Sequence, residues 1–186
     1  MIPSGELLVA FRLSLANNID TVGVLPYTSV DGKIYVLMGQ EEKSNKLTSF
    51  EGRVTTDRLF EGISRNIYSA SRNILSINSD SLRYAPALVM GSFAIIFSKI
   101  DPEFRVTARD NYLASTKTSS KKGPGITDIR WVSLRNLEKL MTGEKKGMKS
   151  SLQETLSLAG YPMIKAGLSS MVREEWETEH FSSGRK

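Results

Sequence analysis

Between Glu51 and Ala70 the chain carries charged side chains at spacings that suit chemistry along one helix. Glu61 and Arg65 lie four residues apart on the polar side of a predicted helix, and Asp57 comes just before it. Carboxylates in such positions could ligate a hard divalent cation such as Mg²⁺, and the guanidinium of Arg65 could contact a phosphate. Each residue also has a structural role open to it. Asp57 suits the cap of the helix, which we favour, and Arg65 could pair with Glu61.

Other side chains could contribute to a site away from this helix. The carboxylates that could rebuild a displaced metal site are Glu51, Glu61, Asp101 and Glu103. Scattered carboxylates on a protein surface are usually solvated, so we favour that interpretation. Tyr84 and Trp131 could flank a nucleobase, but an aromatic residue on a predicted strand more often packs in the core.

The composition removes several kinds of chemistry. The chain has 186 residues, no cysteine and a single histidine, His180, which excludes disulfides and thiolate sites and argues against a zinc centre or a serine-histidine triad. Its net charge is +5, and loop lysines could attract phosphate or nucleic acid, although a solubilising surface is the favoured interpretation. These lysines are Lys121, Lys122, Lys145, Lys146 and Lys149. No apolar run approaches the roughly 20 residues of a membrane span, and we expect an intracellular, cytoplasmic protein.

Apolar periodicity predicts the elements that hold the charged segment. The helix is indicated by apolar residues at spacings of three and four, which are Leu59, Ile63, Ile67, Ala70 and Ile74. The predicted strands are residues 7–13, 21–28, 34–39, 87–100, 104–108 and 126–132. An Asp31-Gly32 turn joins the second and third of these strands as a hairpin. Residues 115–125 have the composition of a loop, and a second helix is predicted from Ser133 to Gly143.

The order of these elements predicts an α/β fold with a mixed β-sheet between helices. We expect an N-terminal extension at 1–19, a domain at 20–160, and a C-terminal helix and tail at 161–186. That last helix is predicted to begin near Pro162 and to present an apolar stripe of Ile164, Leu168, Met171 and Val172. Trp176 and Phe181, which lie among glutamates, could form a contact strip for another chain.

The segment from Gly52 to Arg72 resembles the Nudix box, whose pattern is G-x5-E-x7-R-E-U-x-E-E-x-G-U with U a bulky aliphatic residue. In that family the glutamates on one helix face hold Mg²⁺ or Mn²⁺ against a substrate diphosphate. Gly52, Arg65 and Ile67 match the pattern, and Asp57 precedes Arg65 by the expected eight residues. The loop from Gly52 to Asp57 is one residue shorter than the pattern. The resemblance extends over about residues 20–142 and implies a Nudix-like α/β/α sandwich.

The carboxylates of the box are mostly missing. Asn66 stands in place of the glutamate after the arginine, Ser69 and Ala70 replace the glutamate pair, and Arg72 replaces the closing glycine. Neutral or apolar side chains cannot neutralise a divalent cation as carboxylates do. We therefore expect no catalytic residues, no metal and no cofactor, with Asp57 and Glu61 as ligands if a metal site survives.

The resemblance and these losses together predict a degenerate Nudix-fold protein, a pseudoenzyme that acts as a binding or scaffold module. We expect a ligand cleft formed by Glu51, Arg53, Glu61 and Arg65, a protein partner, and nucleotide or RNA as a further ligand. The alternative is an active pyrophosphohydrolase that uses Mg²⁺ or Mn²⁺ on nucleoside diphosphate-linked substrates or capped RNA. A third hypothesis is a nucleic-acid-associated subunit in which the basic loops matter most.

Overall fold

A computed structural model describes residues 5–16, 18–118 and 125–170 of the protein. The strands are β1 (Leu8–Val9), β2 (Thr21–Val30), β3 (Lys33–Glu41), β4 (Leu47–Thr48), β5 (Phe50–Arg53), β6 (Pro86–Met90), β7 (Phe93–Lys99) and β8 (Ile126–Ser133). The helices are α1 (Leu59–Ala70), α2 (Ser79–Arg83), α3 (Phe104–Thr118), α4 (Leu134–Thr142), α5 (Ser150–Ala159) and α6 (residues 161–170), with a 3-10 helix at Ala10–Leu15. Within these described ranges, no helix is both long and apolar enough to cross a membrane.

The strands form one mixed sheet, as the sequence predicts. Its order is β1-β6-β7-β2-β3-β4, with β5 also paired to β2 and β8 also paired to β3. The β2–β7 pair is parallel and the other pairs are antiparallel. Because side chains alternate across a strand, β2 sends Val22 and Val24 to one core and Leu25 and Tyr27 to the other.

Helices cover both faces of the sheet, which confirms the predicted α/β/α layering. The first core contains residues of α1, α3 and the 3-10 helix, such as Ile63, Tyr112 and Leu13. The second core contains residues of α4, α5 and α6. In α6, Ile164 and Leu168 are fully buried in this second core. Met171, Val172, Trp176 and Phe181 lie outside the described residues.

One edge of β2 changes partner in the middle of the strand. Residues 21–24 pair with β5, and residues 27–30 pair with β3. Leu25 and Pro26 therefore belong to neither of these ladders, although both pair with β7 on the other side. Pro26 has no backbone N–H to donate. It is tolerated in this central strand because residues 25 and 26 have no partner on the edge that pairs with β5 and β3.

Several predicted elements differ from the structure. Residues 104–108 are the first turns of α3 and not a strand, and the predicted loop at 115–125 begins inside that helix. The single strand predicted at 87–100 is a hairpin of β6 and β7, turned at Gly91 with a φ of 60°. The strand predicted at 7–13 is only β1 followed by the 3-10 helix. α2 and α5 were not anticipated, and residues 119–124, including Lys121 and Lys122, lie outside the described residues.

Candidate functional site

The loop and helix that resemble the Nudix box approach each other closely at Gly52 and Asn66. A Cβ on Gly52 would lie 2.6 Å from Nδ2 and 2.7 Å from Cγ of Asn66. The same amide donates a 3.0 Å hydrogen bond to the carbonyl oxygen of Arg53. Gly52 is therefore required by the close approach of α1, and Asn66 serves as a link between the helix and β5.

The end of the box is built around Arg72, which replaces the closing glycine of the pattern. Arg72 has a φ of 55°, the left-handed conformation that glycine adopts readily. Its guanidinium lies 4.1 Å from the ring centre of Tyr112 and donates a 3.0 Å hydrogen bond to the carbonyl of Ile126. Burial raises the pKa of Tyr112 to about 12, so its hydroxyl stays protonated and donates to the same carbonyl at 2.7 Å. Arg72 thus ties α1 to α3 and β8.

The predicted roles of Asp57 and Glu61 are not those in the structure. The N-cap of α1 is Arg58, with a φ of 53°, and no side chain caps this helix. The prediction that Asp57 caps the helix is wrong, since the chain turns into α1 one residue later through a left-handed residue. Glu61 pairs with Arg83 of α2 at 3.5 Å, and not with Arg65. Of the two roles that the sequence leaves open for Arg65, the pair with Glu61 is therefore not formed.

A first cleft of about 340 Å³ lies between β3, β4, β5 and the end of α1. We call it the carboxylate cleft because its walls include Glu41, Glu42 and Glu51, beside the buried Ser49 and Ala70. Ala70 lines the cleft at a position where the Nudix pattern has a glutamate, so a methyl group is present there and not a carboxylate. Ser69, its neighbour, is exposed and does not line this cleft.

The ammonium of Lys149 contacts two carboxylates that line the carboxylate cleft. Its Nζ lies 3.2 Å from Oε1 of Glu41 and in direct contact with Oε1 of Glu51. Although burial opposes the charged form, the hydrogen bonds and charges of Glu51 and Glu41 raise the pKa of Lys149. The sequence favours a solubilising role for Lys149, and nothing in the sequence distinguishes Glu41 from other surface carboxylates. No local pattern relates these residues, because Lys149 reaches the cleft from the connection between α4 and α5.

A second cleft of about 510 Å³ lies on another side of α1, next to β5 and the start of β2. We call it the arginine cleft because Arg53, Arg58 and Arg65 line it. Asp20 and Asn66 contribute further polar groups to its walls. The predicted single cleft of Glu51, Arg53, Glu61 and Arg65 is therefore divided: Arg53 and Arg65 share the arginine cleft, while Glu51 lines the carboxylate cleft.

The donor set of these clefts does not fit the divalent-metal centre that the resemblance implies. Among the described residues, no group of three or more carboxylate, histidine or cysteine side chains is arranged to hold a metal ion. Glu41 and Glu51 share a lysine, and Asp101 accepts a 2.9 Å hydrogen bond from the amide of Glu103 at the start of α3. The aromatic candidates lie elsewhere: Trp131 is partly buried against the first core, and Tyr84 is 74% exposed.

No family model matches the chain, and no curated protein matches it. It is similar to a solved Ap4A hydrolase of C. elegans in a binary complex, with 14% identity, 80% of this chain and 98% of that chain covered, and a TM-score of 0.45. The NUDIX domain of Shewanella oneidensis NrtR complexed with ADP ribose is 11% identical over 81% of this chain and 90% of that chain, with a TM-score of 0.44. The T. brucei MERS1-RNA complex is 8% identical over 76% and 63%, with a TM-score of 0.44.

These neighbours include Nudix hydrolases, the family that residues 52–72 resemble. Each TM-score is below 0.5 and each identity is below 15%, so the likeness carries no inference about activity, metal or ligand.

Proposed function

We propose that this protein is a Nudix-like binding module that recognises a nucleotide-sized ligand without hydrolysing its diphosphate. The observation that carries the proposal is the Lys149 ammonium, which contacts the carboxylates of both Glu41 and Glu51, two residues that line the carboxylate cleft. A divalent cation could screen a diphosphate and activate an attacking water. An ammonium that is already hydrogen-bonded to both carboxylates contributes a single charge and no activated water.

The residues of α1 support the same proposal. Asn66 donates its amide to the backbone of β5, and Ala70 has no donor atom to offer. Asp57 and Glu61 lie among the walls of neither cleft, and Glu61 is engaged by Arg83. Losing even one preorganised transition-state contact commonly costs about 10²–10³ in rate, and here several are missing together.

The size and lining of the carboxylate cleft favour a small polar ligand. Its volume of about 340 Å³ falls within the roughly 300–1,000 Å³ of small-molecule sites. Carboxylate oxygens of Glu41 and Glu42 could accept hydrogen bonds from ribose hydroxyls or base amino groups. We therefore place the nucleoside part of the ligand in this cleft.

The test is turnover by the purified full chain with nucleoside triphosphates, ADP-ribose, dinucleoside polyphosphates and capped RNA, each with Mg²⁺ and with Mn²⁺. Products are separated by chromatography, and binding of each substrate is followed in parallel by calorimetry. We expect binding of at least one nucleotide and no product above a control with EDTA.

The contradicting result is metal-dependent turnover that is lost in Glu41→Gln or Glu51→Gln and retained in Glu144→Gln, an exposed glutamate far along the chain. That result would mean that the carboxylate cleft binds a catalytic metal after displacing Lys149. Absence of both turnover and nucleotide binding would also overturn the proposal.

A further inference from the structure

The three arginines of the arginine cleft come from three different parts of the backbone. Arg53 ends β5, Arg58 is the N-cap of α1, and Arg65 lies near the middle of α1. All three are exposed residues whose side chains line the same cavity of about 510 Å³. Their convergence is produced by the fold, because the link from Asn66 to Arg53 fixes α1 against β5.

These guanidinium groups have no protein partner among the described residues. Arg53, Arg58 and Arg65 form no ion pair, side-chain hydrogen bond or ring contact there. Arg109, in contrast, makes two hydrogen bonds to Asp128, at 3.1 and 2.9 Å. The arginine cleft therefore gathers like charges without neutralising them.

One carboxylate lines the same cleft, and the net charge of the lining stays positive in its presence. Asp20 lines the cavity and accepts a 3.0 Å hydrogen bond from the hydroxyl of Thr21. Three arginines against one aspartate leave the lining with a net charge of +2 (three minus one).

Unpaired guanidinium groups that converge on an open cavity are suited to an oxyanion, because each presents parallel N–H donors to two oxygens. We propose that the arginine cleft binds the phosphate group of a ligand, and that it does so without a metal ion. This site is separate from the carboxylate cleft and does not depend on whether the protein hydrolyses nucleotides. The phosphate could belong to a free nucleotide or to a nucleic-acid strand, and the two sources are distinguished by experiment.

The experiment is calorimetric titration of the full chain with inorganic pyrophosphate in EDTA at low ionic strength. We expect binding that weakens as salt is added, because an exposed cationic site is screened. Arg53→Gln and Arg65→Gln should each weaken binding roughly ten- to one-hundredfold, the effect of losing a hydrogen bond to a charged group. Arg135→Gln, which removes the same charge from an exposed position on α4, should bind as the unsubstituted protein does.

Thermal unfolding of each variant accompanies the titration, and unchanged midpoints are expected because these arginines are exposed. Competition with ADP and with a single-stranded oligonucleotide that lacks a 5′ phosphate then identifies the source: displacement by ADP indicates a nucleotide, and displacement by the oligonucleotide indicates a strand backbone. The proposal is overturned if pyrophosphate fails to bind, if binding requires Mg²⁺, or if Arg53→Gln and Arg65→Gln bind as tightly as Arg135→Gln.

Discussion

The side-chain amide of Asn66 lies against Gly52 and donates to the carbonyl oxygen of Arg53, so one residue of α1 fastens the helix to β5. In the Nudix pattern this position carries a glutamate that serves a metal. Here the side-chain amide of Asn66 hydrogen-bonds to the backbone of β5. The same hydrogen bond holds Arg53 and Arg65 beside one cleft. In this chain the residue at that position has a structural role, since it links α1 to β5.

Replacing Gly52 by alanine tests this link. The added methyl group would collide with Asn66, displace its amide and lower the free energy of unfolding by about 1–3 kcal/mol. Gly62→Ala is the matched control, because a Cβ there meets no atom within 4 Å. That control should raise the free energy of unfolding by about 0.5–1 kcal/mol, since glycine weakens a helix interior. Urea unfolding measures both, and equal stability of the two variants would contradict the expected contact.

Replacing Lys149 by methionine should create affinity for a divalent cation. The substitution leaves Glu41 and Glu51 facing each other across the carboxylate cleft without their ammonium. We expect a fall of about 1–3 kcal/mol in the free energy of unfolding without metal, and a partial recovery when Mn²⁺ is added. Lys146→Met, at an exposed lysine nearby, is the control. Unchanged Mn²⁺ affinity in Lys149→Met, measured by calorimetry, would show that the two carboxylates cannot share an ion.

Asp128 should make stability depend on acid. Burial disfavours its charged form, but hydrogen bonds from Arg109 and the Ile129 amide, with the charges of Arg109 and Arg130, hold its pKa below 3.8. A lowered pKa in the folded state stabilises the protein above the unfolded value, and this contribution is lost as pH falls through the folded value. The difference in unfolding free energy between the protein and Asp128→Asn should therefore be largest near neutral pH and shrink below pH 3.8.

The control for this pH series is Asp57→Asn, at an exposed position in the loop before α1. It removes the same charge from a side chain that forms no ion pair among the described residues. A constant difference between Asp128→Asn and the unsubstituted protein across the acid range would mean that Asp128 is not favourably charged in the fold.

Two substitutions of Arg72 separate the effect of its left-handed backbone conformation from the effect of its side-chain contacts. Arg72→Ala removes the contacts with Tyr112 and Ile126 and keeps a Cβ in the left-handed conformation. Arg72→Gly removes the same contacts and relieves that conformation, so it should be more stable than the alanine variant by about 1–2 kcal/mol. Both variants should unfold more easily than the unsubstituted protein. If alanine proves the more stable of the two, the left-handed conformation of residue 72 is not retained in solution.

The parts of the fold that are encoded locally could be predicted from the sequence. The hairpin of β2 and β3 turns at Asp31 and Gly32, both with positive φ. The helix α4 begins at Ser133, whose hydroxyl accepts a 3.2 Å hydrogen bond from the Asn136 amide, and it ends at Gly143. Turn and cap residues determine such features within a few positions, so these features can be predicted from the sequence.

The errors arise where a local pattern fits two structures. Phe104, Val106 and Ala108 alternate as in a strand, yet α3 buries Ala108 and Tyr112 at helical spacing and leaves Val106 79% exposed. The carboxylate cleft was missed for a different reason. Lys149 lies 98 residues from Glu51 along the chain and meets it only in the folded structure, and an isolated charged residue in a sequence resembles any solvated side chain.

The change of partner along β2 has a consequence for the folding chain. Pro26 cannot donate a backbone hydrogen bond, and it lies between the stretch that pairs with β5 and the stretch that pairs with β3. Sliding β2 by one position would turn Val22 and Val24 away from their core and bring the proline towards a ladder that it cannot complete. The proline therefore penalises misaligned hairpins and favours the one alignment in which both clefts beside α1 can form.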